Sequence, residues 1–203
     1  MRCKLCIRAL LCVLVAACCS STAFSAVKMP AVIGDNMVFQ RDMPVPVWGW
    51  ADKGEEVTVT VAGQTLTTKA GDDGRWKVVL AKFSVGQPLE MTVKGSSGNV
   101  ITIKNILVGE VWVCSGQSNM EMGIGACDKA QEEIAAANYP EIRLFKVVKA
   151  KAAQPAADVQ GSWKPCSPQT VAADGWGGFS AAVITTLITL WLKRKTQFFA
   201  TLL

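Results

Sequence analysis

One stretch of fifteen residues, VGEVWVCSGQSNMEM over 108–122, constrains the fold of this chain more than any other. It opens with an apolar run in which Val108, Val111 and Val113 favour a β-strand. Small and polar residues follow at 115–119 and indicate a sharp turn. Continuously apolar strands are typical of parallel sheets that are covered on both faces. The stretch therefore predicts an α/β arrangement in which a buried strand leads through a turn into a helix.

Ser118 lies in this turn and is the candidate nucleophile. A strand that ends in a tight turn exposes a serine hydroxyl, and the helix that follows offers free backbone N–H groups to an anion. The chain contains no histidine, which is the usual base for such a serine. Glu121 and Asp128 are near enough in sequence to be considered as bases, but carboxylates at the start of a helix are also favoured there by the helix dipole. We expect both to be surface carboxylates.

The pattern of short strands and turn signals over residues 26–105 predicts an antiparallel β-sandwich-like module. Strict alternation in Glu56–Val61 indicates a strand with one buried face, and turn signals such as GDDG at 71–74 separate it from further strands at 65–69, 75–80, 89–93 and 100–103. Trp48, Trp50 and Trp76 allow two interpretations. They either stack on sugar rings or pack in a core or against a neighbouring domain.

The pattern changes at Asn105, after which the apolar runs are continuous. Asp128 with Gln131 resembles a capping box for a helix over 129–138, and a strand is predicted over 142–147. The order strand, turn, helix, strand predicts that an α/β domain begins near residue 106 and extends to 182. Residues 148–180 are predicted to be a loop. Residues 183–203 resemble neither an amphipathic helix nor a membrane span.

The first 25 residues are typical of a secretory signal peptide, because a short basic segment precedes an apolar run at 10–19. We expect a secreted or periplasmic protein; alternatively, Cys18 lies in a lipobox-like sequence and would carry a lipid anchor. This segment holds three of the 21 basic residues and none of the 16 acidic ones, so the rest is close to neutral. That balance argues against nucleic acid as a partner.

Three cysteines, Cys114, Cys127 and Cys166, lie outside the signal segment. They form no CxxC motif, so we expect no zinc site and no cofactor. A disulfide between Cys127 and Cys166 is a candidate in an oxidising compartment.

The chain resembles the bacterial sialate O-acetylesterase family, a branch of the SGNH (GDSL-like) hydrolases. The matching segments are GDNMVFQRDMPVPVWGWADKGEEVTV (34–59), DDGRWKVVL (72–80), VGEVWVCSGQSNMEM (108–122), NYPEIRLFKV (138–147), WKPCSPQTVA (163–172) and GGFSAA (177–182). The resemblance implies a β-sandwich-like module followed by the start of an α/β/α, flavodoxin-like hydrolase domain.

It also implies hydrolysis of acetyl esters on sugars such as O-acetyl sialic acid, with Ser118 as the nucleophile. Gly116, Gln117, Asn119 and Gly178 are candidates for oxyanion or substrate contacts. The family's base is a histidine in a D-x-x-H-type motif, which this sequence lacks. We therefore expect an incomplete hydrolase domain, in a truncated or frame-shifted form of a longer esterase. The alternative is a non-catalytic fragment or a sugar-binding β module.

Overall fold

The computed structural model describes residues 26–172, 180–194 and 198–202. The chain is rich in strands and has few, mostly short helices. The strands are β1 (Val38–Gln40), β2 (Val45–Trp50), β3 (Glu56–Val61), β4 (Gln64–Lys69), β5 (Arg75–Leu80), β6 (Leu89–Gly95), β7 (Val100–Cys114), β8 (Tyr139–Lys146), β9 (Trp163–Cys166) and β10 (Phe198–Leu202). The helices are α1 (Ser118–Glu121), α2 (Ala130–Ala136), α3 (Pro168–Ala172) and α4 (Ala181–Arg194), with a 3₁₀ turn at Ile124–Ala126.

Most strands join one mixed sheet. In the described part of the chain its order is β4-β3-β6-β7-β10-β8-β9, and β1 pairs with β7 beside this path. Strands β4, β3, β6 and the first half of β7 are antiparallel, whereas β7, β10 and β8 run parallel. Strands β2 and β5 form a separate antiparallel ribbon.

The antiparallel strands follow from the local sequence. In β3, Val57, Val59 and Val61 are buried, while Glu56 and Thr60 are exposed. Because successive side chains of a strand point to opposite faces, this alternation places one face on the core. The strands predicted at 56–61, 65–69, 75–80 and 89–93 are confirmed, with ends that differ by up to two residues.

Strand β7 runs through the predicted boundary near residue 106. Separate strands at 100–103 and from 106 onward were expected, and this prediction is wrong because the chain forms a single strand of 15 residues. Asn105 adopts a left-handed conformation with φ of 57°, and the pairing with β6 shifts register between Leu89 and Met91. The irregularity lets one strand pair first with β6 and later with β1 and β10.

A polar network surrounds this irregularity. Arg143 of β8 is buried, and its Nη1 donates a hydrogen bond to Oδ1 of Asn36 (2.9 Å). Its Nη2 donates to Oδ1 of Asn105 (3.3 Å), whose Nδ2 donates to the same Asn36 oxygen (2.7 Å). Burial lowers the pKa of the Arg143 guanidinium, which the nearby Glu141 partly offsets. The network ties the turn before β1 to β7 and β8.

Glu55 is the buried carboxylate of the antiparallel part. Burial raises its pKa, but hydrogen bonds from the Ser97 hydroxyl (2.6 Å), the Ser97 N–H (3.3 Å) and the Asp52 N–H (3.2 Å) lower it, and the net pKa lies below the ordinary value. The carboxylate therefore holds the turn after β6 against the start of β3.

The helix near residue 130 is shorter than expected. Helix α2 covers Ala130–Ala136, and Lys129 at its N-cap has a left-handed φ of 54° with no side-chain cap. The capping box of Asp128 and Gln131 was a wrong prediction, because the Asp128 carboxylate accepts a hydrogen bond from the N–H of Lys129 instead (3.0 Å).

Two short elements lie within the segment predicted to be a loop. Strand β9 pairs with β8, and α3 follows it. Trp163 and Cys166 of β9 are buried, and the Trp163 indole N–H donates to the carbonyl of Val32 (2.8 Å). These two residues hold the segment against the sheet.

The C-terminal segment corrects the sequence prediction. It was not expected to form an amphipathic helix, yet α4 buries Val183, Ile184 and Leu187 on one face. These side chains join a second apolar cluster with Ile142 and Leu144 of β8. Strand β10 then inserts between β7 and β8 and pairs with both. The helices in the described part of the chain are too short or too polar to span a lipid bilayer.

Candidate functional site

The candidate site is the turn between β7 and α1. Strand β7 ends at Cys114, and α1 begins at Ser118 after three exposed residues. The Ser118 side chain is exposed, and its hydroxyl forms no hydrogen bond with any residue that the structure describes. Since β7 is parallel to β10 here, the turn lies at the carboxyl end of parallel strands. Ligands of open α/β sheets bind at that edge.

Gly116 allows the turn to close tightly. A Cβ at this position would overlap Cγ of Met120, whose backbone N–H donates to the carbonyl of Gln117 (2.9 Å). Any larger residue would force the side chain of Met120 to shift. The φ of Gly116 is not in the left-handed region, so it is the close approach of Met120, and not the backbone conformation, that requires glycine here.

Helix α4 supports the turn from the other side. The N–H of Ala181 donates to the carbonyl of Met122 (2.9 Å), and Gly123 forms an antiparallel bridge with Ser180. A small apolar cavity of about 180 Å³ lies between α4, α1 and the end of β7. Its lining residues are Trp112, Cys114, Met120, Ala182, Val183, Thr186 and Leu187.

Sequence reasoning missed the contribution of α4 to this site. The available signal was the spacing of Val183, Ile184 and Leu187, which repeats as on one helical face. The β-branched residues and threonines of this segment hid that spacing, because their local preference is for strands.

The structure brings four predicted residues together and leaves others apart. They are four consecutive exposed residues: Gly116 and Gln117 precede α1, and Ser118 and Asn119 begin it. Gly178, the fifth candidate, lies outside the described residues.

Neither carboxylate considered as a base is hydrogen-bonded to Ser118 in the described part of the chain. Glu121 pairs with Lys149, and Asp128 is engaged by the N–H of Lys129. Both are exposed. The expectation that they are surface carboxylates agrees with these contacts.

Cys114, Cys127 and Cys166 are free thiols, so the disulfide between Cys127 and Cys166 that was considered above is not formed. Burial raises the pKa of the Cys114 thiol, and it raises that of Cys166 to about 11. Both thiols are therefore protonated at neutral pH and are poor nucleophiles. Among the described residues, no group of histidine, cysteine or carboxylate side chains has the arrangement needed to hold a metal ion.

The fold matches that of a solved carbohydrate acetylesterase. The structure of a carbohydrate acetylesterase from Xanthomonas citri superposes with a TM-score of 0.81 and 32% identity, over 87% of this chain and 40% of that protein. The mixed sheet with few helices is thus the fold of part of an esterase.

Curated proteins that are similar in sequence are sialate O-acetylesterases. Sialate O-acetylesterase from Rattus norvegicus is 30% identical over 164 residues, and the human enzyme of the same name is 29% identical over 144 residues. These alignments cover 75% and 65% of this chain but only 30% and 27% of the relatives. The chain thus spans less than a third of their length. The predicted resemblance to the sialate O-acetylesterase family is confirmed, although no protein-family model matches the chain.

Proposed function

We propose that this chain carries the nucleophile-bearing part of a carbohydrate O-acetylesterase, which hydrolyses acetyl esters on sugars. The observation that carries the proposal is the position of Ser118, which is exposed at the carboxyl end of the parallel strand β7 and has no hydrogen-bond partner among the described residues. The esterase names of the relatives support the same reaction.

In the proposed reaction, Oγ of Ser118 attacks the acetyl carbonyl and forms a tetrahedral intermediate. Backbone N–H groups of the turn, foremost that of Ser118, donate to the oxyanion. Gly116, Gln117, Asn119 and Gly178 are the proposed further contacts to the oxyanion or the substrate. The sugar hydroxyl leaves, and water then releases acetate from the acyl-serine.

Both steps need a base to accept the proton of the hydroxyl or of water. This chain supplies no histidine for that role. A triad serine without its base keeps only the rate enhancement of the oxyanion donors and of substrate binding, roughly 10³–10⁴ over water. We therefore propose that Ser118 is correctly placed in this chain but weakly activated.

The finer features belong to the same proposal. The acetylated sugar is an O-acetyl sialic acid, in line with the names of the curated relatives. Residues 26–105 form a β-sandwich-like module, and 106–182 form the N-terminal part of an SGNH-type α/β/α domain, followed by a tail at 183–203. Residues 1–25 direct the chain to secretion or the periplasm, with a lipid anchor on Cys18 as the alternative.

A second interpretation rests on the absence of histidine from the sequence. In that case the chain is non-catalytic and retains, at most, a capacity to bind sugar. Turnover by the purified chain distinguishes the two interpretations.

The test is chemical rescue of the missing base. The purified chain and its Ser118→Ala variant are assayed for acetate release from O-acetylated sialic acid and for cleavage of p-nitrophenyl acetate, with and without added imidazole. We expect slow turnover that depends on Ser118 and rises with imidazole beyond the uncatalysed imidazole reaction. Equal rates for the chain and the Ser118→Ala variant under both conditions would favour the non-catalytic interpretation.

A further inference from the structure

The exposed face of the β2–β5 ribbon carries alternating aromatic and basic side chains. In the register of the ribbon, Trp48 lies opposite Lys77, and Trp50 lies opposite Arg75. The side chains of Val47 and Val78 point to the other face and are buried. Because residues two apart on a strand share a face, both tryptophans and both cations lie on one surface.

This surface is concave. A cavity of about 530 Å³ opens on it, with Ala157 contributing from the segment between β8 and β9. Its lining residues are Pro46, Trp48, Gly49, Trp50, Arg75, Trp76, Lys77 and Ala157. No residue of this cavity lines the one beside Ser118. The two cavities are therefore separate sites.

The strands at Trp76 and Gly49 form the floor of the cavity. The Trp76 side chain is buried, and its Nε1 has no hydrogen-bond partner among the residues that the structure describes. A Cβ on Gly49 would overlap the carbonyl oxygen of Lys28 and lie 3.0 Å from Cζ2 of Trp76, so glycine lets the strand approach both groups closely. Because Trp76 alternates with Arg75 and Lys77 along β5, its indole lies on the buried face of the ribbon, below the tryptophans and cations of the exposed face.

The charges of the surface are only partly neutralised. Arg75 contacts the Asp73 carboxylate at 3.6 Å through Nε, while both side chains remain largely exposed. Lys77 forms no ion pair within the described residues. An anionic group above the ribbon would therefore find one free ammonium group and one guanidinium group with unused donors.

Tryptophan faces and two cations on one surface together match the chemistry of an acidic sugar. The apolar faces of a pyranose ring stack on indole rings, its hydroxyl groups form hydrogen bonds, and its carboxylate pairs with lysine or arginine. We propose that the β2–β5 surface is a binding site for glycans that carry a carboxylate, separate from the site at Ser118. This inference does not require that Ser118 be reactive.

The experiment measures binding of 3′-sialyllactose to the purified chain by titration calorimetry, with lactose as the neutral probe. Trp48→Ala should weaken binding of both probes about tenfold, because it removes a stacking surface. Lys77→Gln should weaken 3′-sialyllactose about fivefold and leave lactose unchanged, because it removes only a charge partner. Added salt should reduce the difference between the two probes.

Matched controls come from the same part of the molecule. Val79→Ala changes an exposed residue of β5 that does not line the cavity, and Lys94→Gln removes an exposed lysine of β6. Both variants should bind 3′-sialyllactose as the unchanged chain does.

Ser118→Ala should also bind normally, so that this proposal and the esterase proposal can fail independently. Absence of 3′-sialyllactose binding to the unchanged chain would overturn the proposal. Normal binding of 3′-sialyllactose by Lys77→Gln would overturn it as well. Lys77 is exposed, so this substitution leaves the fold intact.

Discussion

Asn105 offers a direct test of how β7 changes partners. Its φ of 57° lies in the left-handed region, which costs an L-residue with a Cβ about 1–2 kcal/mol but is tolerated by asparagine and glycine. Its side chain also makes two hydrogen bonds, to Asn36 and from Arg143. Asn105→Gly removes the hydrogen bonds without the left-handed cost, whereas Asn105→Ala removes them and adds that cost.

The two contributions can be estimated separately. Hydrogen bonds contribute roughly 0.5–1.5 kcal/mol each, and because Asn105 is exposed, water replaces part of that loss. We expect a destabilisation of about 1 kcal/mol for Asn105→Gly and about 2 kcal/mol for Asn105→Ala. With a urea m-value of about 2 kcal/mol/M, the unfolding midpoints fall by about 0.5 M and 1 M. Urea titrations followed by far-ultraviolet circular dichroism measure both shifts.

Asn119 is the matched control, because it is an exposed asparagine inside the helix α1, outside the left-handed region. There alanine should be more stable than glycine, by up to about 1 kcal/mol, since glycine is the poorer helix former. The order of the two substitutions should thus reverse between the two positions. If Asn105→Ala is as stable as Asn105→Gly, the left-handed conformation is not what selects asparagine, and the explanation of β7 fails.

Helix α4, the Glu55 carboxylate and the turn glycine each support one further prediction. Leu187→Ala should lower the free energy of unfolding by about 2–4 kcal/mol in urea titrations, because Leu187 is buried in the second cluster. Glu55→Gln should lower the free energy of unfolding at pH 7 by about 1–2 kcal/mol in the same titrations, since it removes a charged acceptor of hydrogen bonds. Gly116→Ala should destabilise by about 1–3 kcal/mol through the clash with Met120, and Met120→Ala should relieve part of this cost in a double-mutant cycle.

Controls and specific outcomes would contradict the predictions for Leu187 and Gly116. Leu192→Ala, at an exposed position of the same helix, should change stability by less than about 0.5 kcal/mol, and an equal effect of both leucine substitutions would contradict the packing of α4. Additive effects of the Gly116 and Met120 substitutions would show that the two residues are not in contact.

The pH dependence of the Glu55 effect has a definite sign. Because the pKa of Glu55 is lowered in the folded chain, its stabilisation is present above the ordinary pKa of 4.5 and is lost as pH falls through the folded value. Acid should therefore destabilise the unchanged chain more steeply than Glu55→Gln below about pH 4.5. Parallel acid titrations of stability would contradict the assignment.

Much of the antiparallel part could be predicted because its signals are local. The alternation of Val57, Val59 and Val61 shows a buried face without knowledge of any partner strand. The turn of Ser118 was also visible, since an apolar strand is followed by small and polar residues over a few positions. The continuation of β7 through Asn105 could not be predicted from the sequence, because this continuation depends on pairing with strands that are distant in sequence.

The β-rich first half, the position of the candidate nucleophile and the resemblance to the sialate O-acetylesterases could all be predicted from local sequence. The place of the last segment could not, because it depends on tertiary packing. The β-branched residues Val183 and Ile184 favour a strand locally, but burial against Ile142 and Leu144 of β8 makes the helix the better choice. The backbone of β10 then pairs between β7 and β8. Burial and pairing with residues far apart in the chain outweigh local preference, and the helical spacing of the buried side chains does not show which partners cover them.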